Sequence, residues 1–231
     1  MRCIWVMIMP EVMAVAIDGP VGAGKSSIAR AAAKKLGFVY VDTGALYRAV
    51  GLYCSRKGAD LSSHEAVAAL LPEIHPEIRL IDGTQHVFLN GEDVSVEIRL
   101  PEISMAASAV SSVPEVRAAL LDMQRDIAAK NNVLMDGRDI GTVVLPNAQV
   151  KIFLTASPEI RAKRRYDELC AKGVSTSFED VLNDLNKRDY DDSHRAVAPL
   201  KQADDAVLAD TSELDFEQSC ELVCNIIKEK L

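Results

Sequence analysis

One short stretch constrains this chain more than any other. The apolar run Val12–Ile17 breaks into Gly19-Pro20-Val21-Gly22-Ala23-Gly24-Lys25-Ser26, and an alanine-rich helical pattern follows at once. This is Gly-x4-Gly-Lys-Ser with a strand before it and a helix after it, the context the motif requires. Side chains at the glycines would block backbone N–H groups from turning inward around a phosphate chain, and the helix N-terminus adds partial positive charge. A nucleoside triphosphate therefore falls to the loop formed by Gly19, Pro20, Val21, Gly22, Ala23, Gly24, Lys25, Ser26 and Ser27. Lys25 can reach the β- and γ-phosphates, and the Ser26 hydroxyl can ligate Mg²⁺. The loop alone does not say what receives the phosphate.

The rest of the chain alternates strand and helix. Phe38–Val41 reads as a strand, Ala45–Lys57 as a helix stopped by Gly58, and Ser62-x-x-Glu65 as a capping box opening a helix to about Leu71. The texture then changes. Ile78–Ile81 and Val87–Leu89, with Asp82-Gly83 and Asn90-Gly91 as turns, read as a small antiparallel insertion. Short helices are expected over Ile98–Ser111, and Pro114 opens a long helix to Lys130 with Val116, Leu120, Met123 and Ile127 on its apolar face. Val133–Met135, Val150–Leu154 and Ala206–Ala209 complete a set of five buried parallel strands. Helices are expected from Ser157 to Gly173, from Ser177 through Leu185, and from Phe216 to Lys230. The result is a three-layer α/β fold whose ligands sit at the strand C-termini, where Asp18, Asp42, Asp136 and Asp210 fall.

A net charge of −8 argues against a general nucleic-acid binder. Residues 151–201 are the exception, with ten Lys and Arg against nine Asp and Glu, a local balance suited to a small polyanion. The cysteines, Cys3, Cys54, Cys170, Cys220 and Cys224, are odd in number and irregular in spacing. They read as reduced thiols of a cytoplasmic protein, with Cys220 and Cys224 packing in the core. Residues 1–11 open with an apolar stretch, Met1–Met9, that is too short to span a bilayer. They are read as an extension outside the domain, disordered or part of an over-long gene model, with Met7, Met9 and Met13 as alternative starts. Residues 12–231 form one domain, and no membrane partner is expected.

Asp136, closing an apolar strand, is placed as a second Mg²⁺ ligand, directly or through water. Arg48, Arg138 and Arg195 each sit in a Gly- or Asp-bearing turn near the mouth of the loop. Two phosphate groups brought in line repel each other, and cationic density of this kind offsets the repulsion. The stretches AIDGPVGAGKSS, DTGALYRA, LNGEDVSVEIR, DGRDIGTVVLPNA, KIFLTAS and RAVAPLKQADDAVLADTS run through nearly the whole chain. Together they resemble bacterial cytidylate kinase, a P-loop nucleoside monophosphate kinase.

The resemblance implies ATP-dependent phosphorylation of CMP and dCMP, Mg²⁺, and a monomer. It implies a nucleoside-monophosphate region with the β-rich insertion at about 43–112 and a helical lid at about 158–195. Ser108, Arg117 and Asp139 would read cytosine, while Arg48, Arg138 and Arg195 would hold the CMP phosphate. Thr43, Arg188 and Asp192 would lie near the ribose, and Arg161, Arg164 and Arg165 would belong to the lid over ATP. Lys25, Arg138 and Arg195 would be catalytic. The acceptor is a phosphate monoester with a second pKa of about 6, so no side chain has to remove a proton. Two alternatives stand beside this. Asn186-Lys187-Arg188-Asp189 matches the N-K-x-D motif of guanine-binding switches but follows a helix-period run rather than a strand. A kinase of another acceptor is the second, and a hydroxyl acceptor would call for a positioned base, which does not stand out.

Overall fold

The computed structural model describes residues 12–82 and 84–230; the expectations for residues 1–11 lie outside them. In chain order the elements are β1 (Ala14–Asp18), α1 (Lys25–Leu36), β2 (Val39–Asp42), α2 (Gly44–Arg56), α3 (His64–Leu70), β3 (Pro76–Ile81), β4 (Thr84–Leu89) and β5 (Glu92–Asp93). They continue with α4 (Pro101–Val110), α5 (Pro114–Lys130), β6 (Val133–Gly137), β7 (Val150–Thr155), α6 (Pro158–Ala171), α7 (Phe178–His194), β8 (Val207–Asp210) and α8 (Phe216–Lys228).

The main sheet is five-stranded and all parallel, in the order β2-β6-β1-β7-β8. Side chains alternate across it. Val15 and Ile17 of β1 pack with α1 and α8, while Ala16 joins Val41, Val133 and Met135 on the face covered by the end of α5. Cys220 and Cys224 are buried in the first of these clusters, as expected, and Cys54, Cys170, Cys220 and Cys224 are free thiols. Strands β3, β4 and β5 form a separate antiparallel sheet. It shares a second core with α2, α3, α4 and the start of α5. Gln85 of β4 ties this sheet to the main one, since its amide pairs with the backbone N–H and carbonyl of Asp42 at 2.8 and 3.2 Å. A third, small core of Ala162, Val181 and Leu185 joins α6 to α7.

Three local expectations need correction. The cap of α3 is Ser63, whose hydroxyl accepts from the Ala66 N–H; Ser62 instead bonds Asp60. The buried face of α5 carries Val116, Arg117, Leu120, Gln124 and Ala128, with Met123 and Ile127 only partly covered. That face packs into the cores, reaches the cavity only at Arg117, and includes two polar residues, Arg117 and Gln124, which an apolar stripe cannot reveal. Helix α7 runs nine residues beyond Leu185, to His194. Asn186–Asp189 is therefore helix interior, and the guanine-reading alternative loses its loop. Among the described residues no helix is long and apolar enough to cross a membrane.

Candidate active site

The C-terminal ends of β1, β2 and β6 open into a cavity of about 780 Å³, toward the upper end of ordinary ligand sites. Its floor is the loop from Val21 to Ser27. The loop begins at Gly19, whose φ is 150° and where a Cβ would stand 2.0 Å from the Leu154 carbonyl oxygen of β7. Only glycine lets β1 end that close to its neighbour. At Val21 the loop is held from both sides. The Val21 carbonyl accepts from the Arg161 guanidinium at 2.8 Å, and its N–H donates to Asp189 at 3.2 Å. Arg161 and Asp189 are themselves paired at 2.6 Å. Arg161 is thus a buried strut beneath the loop and does not line the cavity.

Lys25 is buried and donates to the Pro20 carbonyl at 2.6 Å. Burial, reinforced by the positive charge of Arg138, lowers its pKa to about 7. Ser26 donates to one oxygen of Asp136 at 2.9 Å and Tyr40 donates to the other at 2.8 Å. Burial, with the carboxylate of Asp42 beside it, raises Asp136 to about 6. The neighbour is no accident, because Asp42 and Asp136 are register partners on β2 and β6.

The opposite wall comes from α2, α4, α5, α7 and the turn after β6. Thr43, Arg48, Ser108, Arg117, Arg138, Asp139, Arg188, Asp192 and Arg195 all line the cavity from these elements. The Thr43 hydroxyl is committed to the Asp136 carbonyl at 2.8 Å. Arg48 pairs with Asp42 at 2.5 Å, and Arg138 with Asp192 at 2.7 Å. Arg117 bonds Asp139, donates to the Ser111 carbonyl at 3.1 Å and lies over the Tyr47 ring. Burial and the nearby Arg138 lower the Arg188 pKa, and burial with Arg117 lowers that of Arg195. Arg48 Nε and Arg195 Nη2 are buried donors without a protein acceptor. Cations crowded to this degree favour a bound polyanion, which supplies the missing acceptors.

Arg164 and Arg165 stand at the far end with Leu214, Asp215 and Phe216. Arg164 donates to the Thr211 carbonyl at 2.7 Å and to that of Leu214 at 3.2 Å, while Arg165 pairs with Glu168 at 2.8 Å. Tyr40, Tyr47 and Asp189 carry contacts that no motif assigns them. For Tyr40 the signal depends on sheet order, since it matters only because β2 lies beside β6.

A parallel α/β core with a glycine-rich phosphate loop on its first strand, facing a second wall of arginines, defines a nucleotide kinase of the P-loop class. The family model for cytidylate kinase matches residues 15–229. The cytidylate kinase of Lactobacillus johnsonii is 45% identical over 218 residues, covering 94% of this chain and 95% of that protein. That of Caldanaerobacter subterraneus subsp. tengcongensis is 51% identical over 214 residues, covering 93% and 94%. A solved structure of an uncharacterized protein from Eubacterium ventriosum shares the fold alone, with a TM-score of 0.54 at 12% identity, covering 94% of this chain and 98% of that one. The chain belongs to the cytidylate kinase family.

Proposed function

We propose that, in the ATP-dependent phosphorylation of CMP to CDP that family membership gives this chain, both nucleotides lie in the one cavity and the γ-phosphoryl passes between them in line. The observation that carries this is that the phosphate loop and the Arg117–Asp139 pair line a single cavity. Cytosine presents an amino donor and two acceptors. Asp139 accepts from the amino group, and Arg117 and Ser108 donate to the acceptors. Uracil would set an acceptor against Asp139, a buried mismatch worth about 1–3 kcal/mol. Arg48, Arg138 and Arg195 hold the acceptor phosphate, and the buried donors on Arg48 and Arg195 that lack a hydrogen-bond acceptor support this. Thr43, Arg188 and Asp192 flank the ribose. dCMP is taken as well.

No general base is required, because the acceptor phosphate is already largely dianionic at neutral pH. Catalysis is positioning and neutralisation of charge by Lys25, Arg138 and Arg195. The α6–α7 hairpin closes as a lid and brings Arg164 and Arg165 over the donor. Arg161 acts on the donor only through the loop it supports.

Ser26 and Asp136 offer oxygen donors alone, which suit a hard cation. Among the described residues no group of three or more His, Cys, Asp or Glu is gathered for a metal. Ser26 and Asp136 would thus hold Mg²⁺ with phosphate oxygens and water in the remaining positions. The ion would neutralise charge on the transferring phosphates. The enzyme acts as a monomer in the cytoplasm, and the free thiols of Cys54, Cys170, Cys220 and Cys224 support that location.

A coupled ADP-release assay across CMP, dCMP, UMP, AMP and GMP tests this. CMP and dCMP are expected to turn over best. Faster turnover of UMP or AMP would overturn the assignment of the acceptor base.

A further inference from the structure

Asp139 begins the turn Ile140–Val144 and occupies its N-cap position, yet its side chain caps nothing. An aspartate there ordinarily accepts from the first free backbone N–H groups of the turn. Here those groups are served from elsewhere. The Ile140 and Gly141 N–H groups each donate to one oxygen of Asp18 at 2.7 Å. Asp18 is the last residue of β1, immediately before the phosphate loop, and is 5% exposed. Asp139 turns instead to Arg117 and, at 3.6 Å, to Arg195.

We propose that Asp18 is a positioning residue that caps the turn after β6 in place of Asp139 and so frees the Asp139 carboxylate for the acceptor base. This rests on the reading of Asp139 as the cytosine acceptor. A buried carboxylate is costly in a fold unless hydrogen bonds offset it. Burial holds the Asp18 pKa up at about 6 despite its two backbone donors and nearby Lys25, with Asp139 adding repulsion. The Lys151 stem closes the other side, since a Cβ on Gly141 would lie 3.1 Å from Lys151 Cδ and 3.3 Å from Asp18 Oδ2. With Asp18 in place, the donor loop and the acceptor-reading turn are fixed to the same residue of the central strand. Without it, the two N–H groups fall to Asp139, the residue that holds the N-cap position.

The test is D18N, which keeps the volume but sets an amide donor against a backbone donor. KM for CMP is expected to rise at least about 10-fold while KM for ATP stays within about 2-fold, and the CMP-over-UMP ratio of kcat/KM to fall about 10-fold. D18N added to D139N should lower that ratio no further, because both act through one carboxylate. Equal changes in the two KM values, or an unchanged ratio in D18N with a reduced one in D139N, would overturn the proposal. An unchanged ratio in D139N alone would instead sink the reading of the acceptor base. D18S, read in the same way, serves if D18N does not fold, and loss of folding in both would assign Asp18 to stability and overturn its positioning role.

Discussion

Lys25 is kept where the fold disfavours it. Burial and Arg138 lower its pKa to about 7 from the ordinary 10.5, so the unfolded chain binds a proton more readily than the native one between those values. Stability therefore rises with pH across that window, and the cost of the charge is full below about pH 7. On the proposed action of its charge on the transferring phosphates, replacing the lysine by methionine should reduce kcat at least about 100-fold. The nucleotide-free K25M protein should melt higher than the wild type at pH 7, by about 2–4 °C for each kcal/mol recovered. The gap should narrow toward pH 10 in thermal melts at a series of pH values, and a wider gap there would contradict the buried-charge account. At this scale the sequence was most legible where a motif fixes both residue type and neighbours, as in Lys25 and Ser26. Arg161 was misplaced because a cluster of arginines on one helix does not reveal which guanidinium faces inward; its partners, Val21 and Asp189, are 140 and 28 residues away.

Helix α2 carries Tyr47 and Arg48 into the lining of the cavity, and its packing sets where they stand. Gly51 brings α2 so close to α4 that an added Cβ would meet the Ala107 nitrogen at 2.9 Å and the Ala106 carbonyl carbon at 3.0 Å. Alanine would gain about 0.5–1 kcal/mol of helix propensity but must push the helices apart, at about 1–3 kcal/mol. Because Ser104, Ala107 and Ser108 of α4 line the cavity, G51A should raise KM for CMP about 5- to 20-fold and leave KM for ATP nearly unchanged. Steady-state kinetics with each substrate varied in turn would check this. Helix types and most boundaries could be read from caps and periodicity, Pro114–Lys130 among them. The end of α7 could not, because the polar run Asn186–His194 breaks the apolar pattern while the backbone continues helical to answer the basic wall.

Across the whole molecule, two cores meet over one cavity. The main sheet and its helices present the phosphate loop, and the second core of α2 to α4 presents the wall proposed above for the acceptor. A compound joining adenosine and cytidine 5′ to 5′ through a polyphosphate should therefore engage both halves at once. Calorimetry is expected to find it at least about 100-fold tighter than CMP alone, the gain ordinary for a second contact made intramolecular. Affinity no better than the tighter single nucleotide would separate the two sites. The number of parallel strands could be read from the chain. Their order, β2-β6-β1-β7-β8, could not, and it is this order that sets Asp42 beside Asp136 and Asp18 beside the turn after β6.

The three loop glycines are held by different physical constraints. At Gly22 and Gly24, with φ of 74° and 83°, a Cβ would meet its nearest side-chain atoms at 3.4 and 3.3 Å, and residues such as asparagine enter that backbone region at modest cost. Gly19 is closed by the sheet itself, through the Leu154 carbonyl. A descendant that lost its catalytic duty could drift at 22 and 24 and still fold, but not at 19. A glycine persisting at 19 in such a lineage would record inheritance of the scaffold, whereas glycines at all three positions would record continued use of the loop.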